Sequence, residues 1–335
     1  MADFPDVRLH VVSGKGGTGK TTVAAALALA LAADGRRVLL VEVEGRQGIA
    51  QLFDTPPLPY EERKVAVAAP GPDGRGGDVY ALAVDPEAAM LDYLHMFYKL
   101  SPNGVAARAL RKAGAIDFAT TIAPGLRDVL LTGKVKEAVV RLRADGRPVY
   151  DAVVLDAPPT GRITRFLNIS EETSRLAKVG PIKHQSEGVM KVLRSAQTTV
   201  HLVTLLEEMP VQETLDAVDE LQGVSLPVGS LVVNMVRTPL LPATALHGGV
   251  DRDEVTSGFV QAGLTVDEAT VSLLLGEAAD HSARVALEER GRDALAELTR
   301  PSYELPLLGD GVDLGGLYDL AESLRAQGLV SERAA

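Results

Sequence analysis

Nine consecutive residues, Gly14-Lys15-Gly16-Gly17-Thr18-Gly19-Lys20-Thr21-Thr22, combine types that suit one kind of chemistry. Taken as Gly14-x4-Gly19-Lys20-Thr21, they form the P-loop pattern that cradles phosphates. Gly14, Gly16, Gly17 and Gly19 are expected to let the backbone bend with positive φ and bring its N–H groups against phosphate oxygens. Lys20 is placed to reach the β- and γ-phosphates, and the Thr21 hydroxyl to ligate Mg²⁺. The bland alternative is a Gly-rich turn that carries a lysine by chance. The flanks decide against it, because Arg8 to Ser13 reads as a short β run and Thr22 to Asp34 as an Ala/Leu-rich helix closed by Gly35. Strand, glycine loop and helix in that order set a helix N-terminus, with its partial positive charge, at the phosphates.

Two acidic positions extend the site. Asp156 ends the apolar run Ala152–Asp156 and leads into Pro158-Pro159-Thr160-Gly161. A carboxylate at the tip of a buried strand near a P-loop is where Mg²⁺ is held, directly or through water. An Asp that merely forms a turn is the other reading. Pro159, Thr160 and Gly161 suit a loop that responds to the γ-phosphate. Glu42 and Glu44 alternate with Val41 and Val43 at the end of a second strand, Arg37–Glu44. One of them could orient an attacking water; an ordinary solvated strand end is an equal reading.

The elements that must position these residues follow from the pattern of apolar runs. Strands are expected at Val79–Val84, Ala152–Asp156, Thr199–Leu205, Val228–Val236 and Tyr303–Leu308, with Lys64–Ala69 as an edge strand and Ile49–Phe53 as a short helix. Strands separated by helical segments predict an α/β fold, a doubly wound and mostly parallel sheet whose ligands bind beyond the strand C-termini. The whole chain, 1–335, is expected to be one P-loop domain with its core near 7–84, 148–165, 196–240 and 300–330. Helical insertions fill 86–147, 166–195 and 245–299. Residues 105–147 carry nine basic and four acidic residues, while 251–298 carry eleven acidic and four basic. These opposite charges predict that the two stretches pack together as a helical subdomain. Met90, Tyr93, Leu94, Phe97 and Tyr98 crowd one helix of the first insertion, where core packing outweighs a client surface.

Composition excludes several function classes. With 335 residues, 46% hydrophobic and 24% charged, the chain has enough apolar mass for a large core. Its net charge of −11 argues against broad nucleic-acid binding. Cysteine is absent, which rules out disulfides, thiolate metal sites and Fe–S clusters. The six histidines have no ligand-like spacing. The acidic start is wrong for a secretory signal, and the longest apolar run is too short to span a bilayer. A cytoplasmic protein is expected, and the basic stretch leaves a peripheral membrane contact open.

The loop resembles the deviant Walker A of the dimeric ATPases that include MinD, ParA and the nitrogenase iron protein, marked by the extra Lys15. Across most of its length the chain is similar to the ArsA-type anion-pump and tail-anchored-protein-targeting ATPases. The matching traces are Lys15–Thr22, Val38–Phe53, Val84-Asp85-Pro86, Pro124-Gly125, Asp156-x-x-Pro159-Thr160-Gly161-x-x-x-Arg165, Val232-Val233-Asn234 and Leu305-Pro306-Leu307-Leu308. The paired actinobacterial members look most alike. The resemblance implies ATP and Mg²⁺ as ligands, a homodimer or a heterodimer with a paralogous ATPase, and a protein client or membrane-associated partner. It implies that Lys15 reaches across the dimer to the partner's nucleotide, that Asn234 hydrogen-bonds adenine and that Pro306 and Leu307 line the base.

Departures from the family bear on the role. The family's switch I reads Asp-Pro-Ala-His, whereas this chain has Glu44-Gly45-Arg46-Gln47. Glu44 is therefore the candidate to position water. Arsenite pumping and the zinc bridge of the targeting factors both need cysteines. Residues 168–195 are short and polar where those factors carry a long Met-rich helix. An ATP-hydrolysing switch coupled to a partner, without thiolate metalloid transport, is expected. A nucleotide-gated module with little hydrolysis and a MinD/ParA-like positioning ATPase are the alternatives.

Overall fold

Strand formation follows the apolar runs closely, and the inner strands contribute alternate side chains to two different cores. The computed structural model describes residues 4–71, 74–99, 124–169, 181–309 and 311–330. In chain order its elements are β1 (Leu9–Gly14), α1 (Lys20–Ala32), β2 (Arg37–Glu42), α2 (Gly48–Leu52), β3 (Arg63–Val67), β4 (Asp78–Ala83), α3 (Pro86–Tyr98), α4 (Pro124–Val140) and β5 (Ala152–Asp156). There follow α5 (Thr160–Leu167), α6 (Pro181–Leu193), β6 (Thr198–Thr204), α7 (Glu208–Gly223), β7 (Val228–Val236), α8 (Ala243–Gly248), α9 (Arg252–Gln261), α10 (Glu268–Ala296), β8 (Ser302–Pro306) and α11 (Leu314–Ala326).

The eight strands form one sheet in the order β3-β4-β2-β5-β1-β6-β7-β8. Every neighbouring pair is parallel except β3 with β4, so the expected edge strand runs antiparallel. The chain winds outward from β1 in both directions, through β5 and β2 on one side and β6, β7 and β8 on the other. A crevice at the carboxyl ends results, and the loop after β1 sits in it.

Burial on both faces explains the near-continuous apolar strands. Val38, Leu40, Val154 and Val203 face α1 and α11, while Leu39, Val41, Leu155 and Leu202 face the α3–α7 side. Helix α1 is apolar all round and buried from Val23 to Ala32, since the sheet covers one side and α11 the other. Its alanines allow that close approach.

The described parts of the insertions pack on different neighbours. Helix α4 packs on α3 and α6, whereas α10 packs on α7, α8 and α9. Two basic residues of this stretch find local partners: Lys134 of α4 lies 3.5 Å from Asp92 of α3, and Arg141, just past the end of α4, pairs with Glu62. For Lys134 and Arg141 the partners are these nearby carboxylates rather than the acidic 251–298 stretch. That acidic stretch is itself two helices, broken at Gly263 with φ 73°. Met90, Tyr93, Leu94 and Phe97 join the core, as core packing required. The parts of the insertions at 100–123 and 170–180 lie outside the described residues. Among the described residues no helix is long and apolar enough to cross a membrane.

Candidate nucleotide site

The P-loop closes on itself through Lys15. Its carbonyl accepts from the Thr18 hydroxyl at 2.9 Å, the Thr18 amide at 3.3 Å and Lys20 Nζ at 3.4 Å. Of the four glycines expected at positive φ, only Gly17 (90°) and Gly19 (83°) adopt it. Gly14 is still β strand, and its requirement is steric: a Cβ there would stand 2.1 Å from the Val203 carbonyl oxygen of β6. Gly16 shows neither constraint. Thr22 lies in the first turn of α1, half-buried beside Thr21.

Parallel pairing of β1 with β5 sets Val12 opposite Asp156 and so brings the strand tip beside the start of α1. The Thr21 hydroxyl donates to Asp156 Oδ2 at 2.7 Å. Asp156 is 8% exposed, and burial pushes its carboxyl up to about 6. The Thr21 bond and the Lys20 charge pull against that, and Glu42 and Glu44 add repulsion. Lys20 is lowered, first by burial, with Asp156 and Glu44 opposing. These oxygens suit a hard divalent cation, which would stabilise both carboxylates at once.

The two glutamates separate in role. Strand β2 ends at Glu42 rather than Glu44. Glu42 is buried and accepts from the amides of Gln47 (2.6 Å) and Ile49 (3.3 Å), satisfying orphan donors at the start of α2. Gln47 holds φ 57° and locks the segment through bonds to Leu58. Glu44 stays half-buried beyond the strand, 3.6 Å from Arg46 and 3.5 Å from Arg162. The segment from Asp156 to Gly161, which matches the family's switch II, also differs from the expected loop: Thr160 and Gly161 form the first turn of α5 after Pro159. The Ser13 hydroxyl ties the preceding Pro158 carbonyl at 2.6 Å.

On the other flank, Asn234 Nδ2 donates to the Thr18 carbonyl at 2.9 Å, so β7 braces the P-loop. Gly19 accommodates that amide; a Cβ there would stand 2.3 Å from Asn234 Nδ2. Pro306 and Leu307 are exposed at the end of β8, where the Leu307 amide donates to the Val236 carbonyl at 2.9 Å. Exposed Met235 lies against the loop at Gly19 beside Asn234.

One residue in the site has no signature in the chain around it. Glu213 of α7 pairs with Lys15 Nζ at 2.8 Å and accepts from the Thr160 hydroxyl at 3.3 Å. No local pattern singles it out from the other acids of an amphipathic helix. Among the described residues no group of three or more His, Asp or Glu side chains is arranged to hold a metal ion by itself.

Comparison with known proteins is consistent with this geometry. The profile of the ArsA-type family described as "Anion-transporting ATPase" matches residues 7–196. A protein of Mycobacterium tuberculosis named ATPase BagA is 58% identical over 327 residues, spanning 96% of this chain and 94% of its own. ATPase GET3 of Kluyveromyces lactis is 26% identical over 256 residues, spanning 67% of this chain and 71% of its own.

Proposed function

Because the chain belongs to the ArsA-type anion-transporting ATPase family, we propose that it is a Mg²⁺-dependent, ATP-hydrolysing dimeric switch that couples its nucleotide state to a partner. The observation that carries this reading is the 2.7 Å bond between Thr21 and Asp156 at the mouth of a glycine loop that also presents Lys20. Thr21 and Asp156 offer the oxygen donors that Mg²⁺ takes, and the chemistry that ion supplies is neutralisation of phosphate charge. Backbone amides of residues 16–22 face the phosphates together with Lys20. Asn234 spends its Nδ2 on the loop, which leaves Oδ1 to accept from the adenine amino group. Pro306, Leu307 and Met235 offer apolar surface to the base.

Glu44 orients the attacking water in this reading. Its pairing with Arg46 and Arg162 means that hydrolysis waits for the carboxylate to be released from those guanidiniums. Lys15 supplies a fixed cation across a dimer, either of two identical chains or with a paralogous ATPase. The partner is a protein or a membrane-associated client, read out through helices α3 to α6, and not a nucleic acid, given the net charge of −11. The absence of cysteine supports a task other than thiolate metalloid transport. The place of action is cytoplasmic, with a peripheral membrane contact as an option.

The test is ATP binding and turnover by the purified chain and its Lys20→Ala variant. Binding and hydrolysis in the parent and loss in the variant are expected. Equal activity in both would sink the enzyme reading. Light scattering with and without ATP checks the dimer.

A further inference from the structure

Glu213 stands where three parts of the site meet. One oxygen, Oε1, takes Lys15 Nζ of the P-loop at 2.8 Å, and the other, Oε2, accepts from the Thr160 hydroxyl at the first turn of α5 at 3.3 Å. One helix turn on, the Thr164 hydroxyl donates to Glu220 Oε2 at 3.1 Å. Helix α5 is thus docked on α7 by two threonine–glutamate bonds, and only Glu213 also reaches the P-loop. We propose that Glu213 is a positioning residue that holds Lys15 away from phosphate in the nucleotide-free chain and ties that lysine's position to switch II.

Charge arithmetic gives the direction. A Lys15 ammonium can serve Glu213 or a phosphate, and closure of two nucleotide-loaded subunits must draw it from one to the other. When Lys15 leaves, Glu213 loses its counter-charge and its hold on Thr160 changes, so α5 and the helix α4 packed on it register the event. This deepens the nucleotide reading above and rests on it. The pair is partly exposed, at 30% for Lys15 and 36% for Glu213, so its strength is that of a screened ion pair.

The test measures binding of a fluorescent ATP analogue with Mg²⁺ to the full chain at low salt. Removing the competitor with Glu213→Gln is expected to tighten the dissociation constant by about two- to fivefold, the range of a partly exposed pair. The gain should shrink as salt rises. In a Lys15→Ala background the same substitution should change nothing, because the two groups act as one unit. Glu220→Ala, which breaks only the Thr164 bond, should bind like the parent. Glu213→Asp should fall between parent and Gln, and serves if the Gln variant does not fold.

Equal tightening in the Lys15→Ala background would mean plain repulsion between carboxylate and phosphate and would overturn the proposal. So would unchanged or weaker binding by Glu213→Gln beside a binding-competent parent. A parent that binds no analogue overturns the nucleotide reading itself, and this one with it.

Discussion

Replacing Thr21 by Val removes one hydroxyl and leaves the shape of the side chain, so its effect on Asp156 can be worked out. In the folded chain the Asp156 carboxyl is raised from 3.8 to about 6, burial being the largest cause, and the Thr21 bond at 2.7 Å is the first of the forces that hold it down. A hydrogen bond to a charged group contributes about 1.5–3 kcal/mol. At about 1.4 kcal/mol per pKa unit, its loss should move the midpoint up by about one to two units. The assay is a ¹³C carboxyl NMR titration of the nucleotide-free protein, which keeps metal out of the result. A Thr21→Val midpoint near or above neutrality is expected. An unchanged or lower midpoint would refute the claim that Thr21 holds the charged form. The stability sign follows from the same shift. A carboxyl raised in the folded state opposes folding while it is ionised. That cost, about 3 kcal/mol for the two-unit shift, is complete above pH 6 and is relieved as pH falls toward 4.

Three further outcomes are expected. Gly14→Ala forces a methyl to within 2.1 Å of the Val203 carbonyl, in mid-sheet where neither strand can yield. Overpacking of this kind costs about 1–3 kcal/mol, and a drop in Tm of a few degrees in a thermal melt checks it. Glu42→Ala strands the amides of Gln47 and Ile49, so hydrogen exchange over 47–52 should accelerate about tenfold or more, with the rest of the sheet unchanged. In the core His10 Nδ1 lies 3.0 Å from His201 Nε2, and burial pushes His10 down to about 4. NMR should show His10 neutral through pH 5. Because its folded value lies below its unfolded one, its stabilising contribution is present above pH 6.5 and is lost as pH falls toward 4.

What the chain says locally, it says in full. Gly14 to Thr22 specifies a phosphate cradle because the spacing, the flanking strand and the Ala-rich helix all lie within a few residues of one another. The strands are legible for the same reason: a parallel sheet covered on both faces needs continuous apolar runs, and Ala152–Asp156 and Val228–Val236 match the observed bounds. The deviations arise wherever a residue's partner is remote. Glu42 and Glu44 look alike in sequence, and only the return of Gln47 and Ile49 assigns one to capping α2 and leaves the other to Arg46 and Arg162. The four loop glycines look equivalent, yet β6 makes Gly14 a steric requirement, Gly17 is conformational, and Gly19 is both, with Asn234 of β7 against it. The basic stretch reads from its sequence as a match for the acidic one, and only the fold shows that Lys134 meets Asp92 and Arg141 meets Glu62. The sequence by itself determined which ligand chemistry the protein holds, because that is written in contiguous residues. The tertiary structure decided which acids stand beside that loop, and above all that Lys15 meets Glu213, because a contact between a loop and a distant helix exists only once the sheet has brought them together.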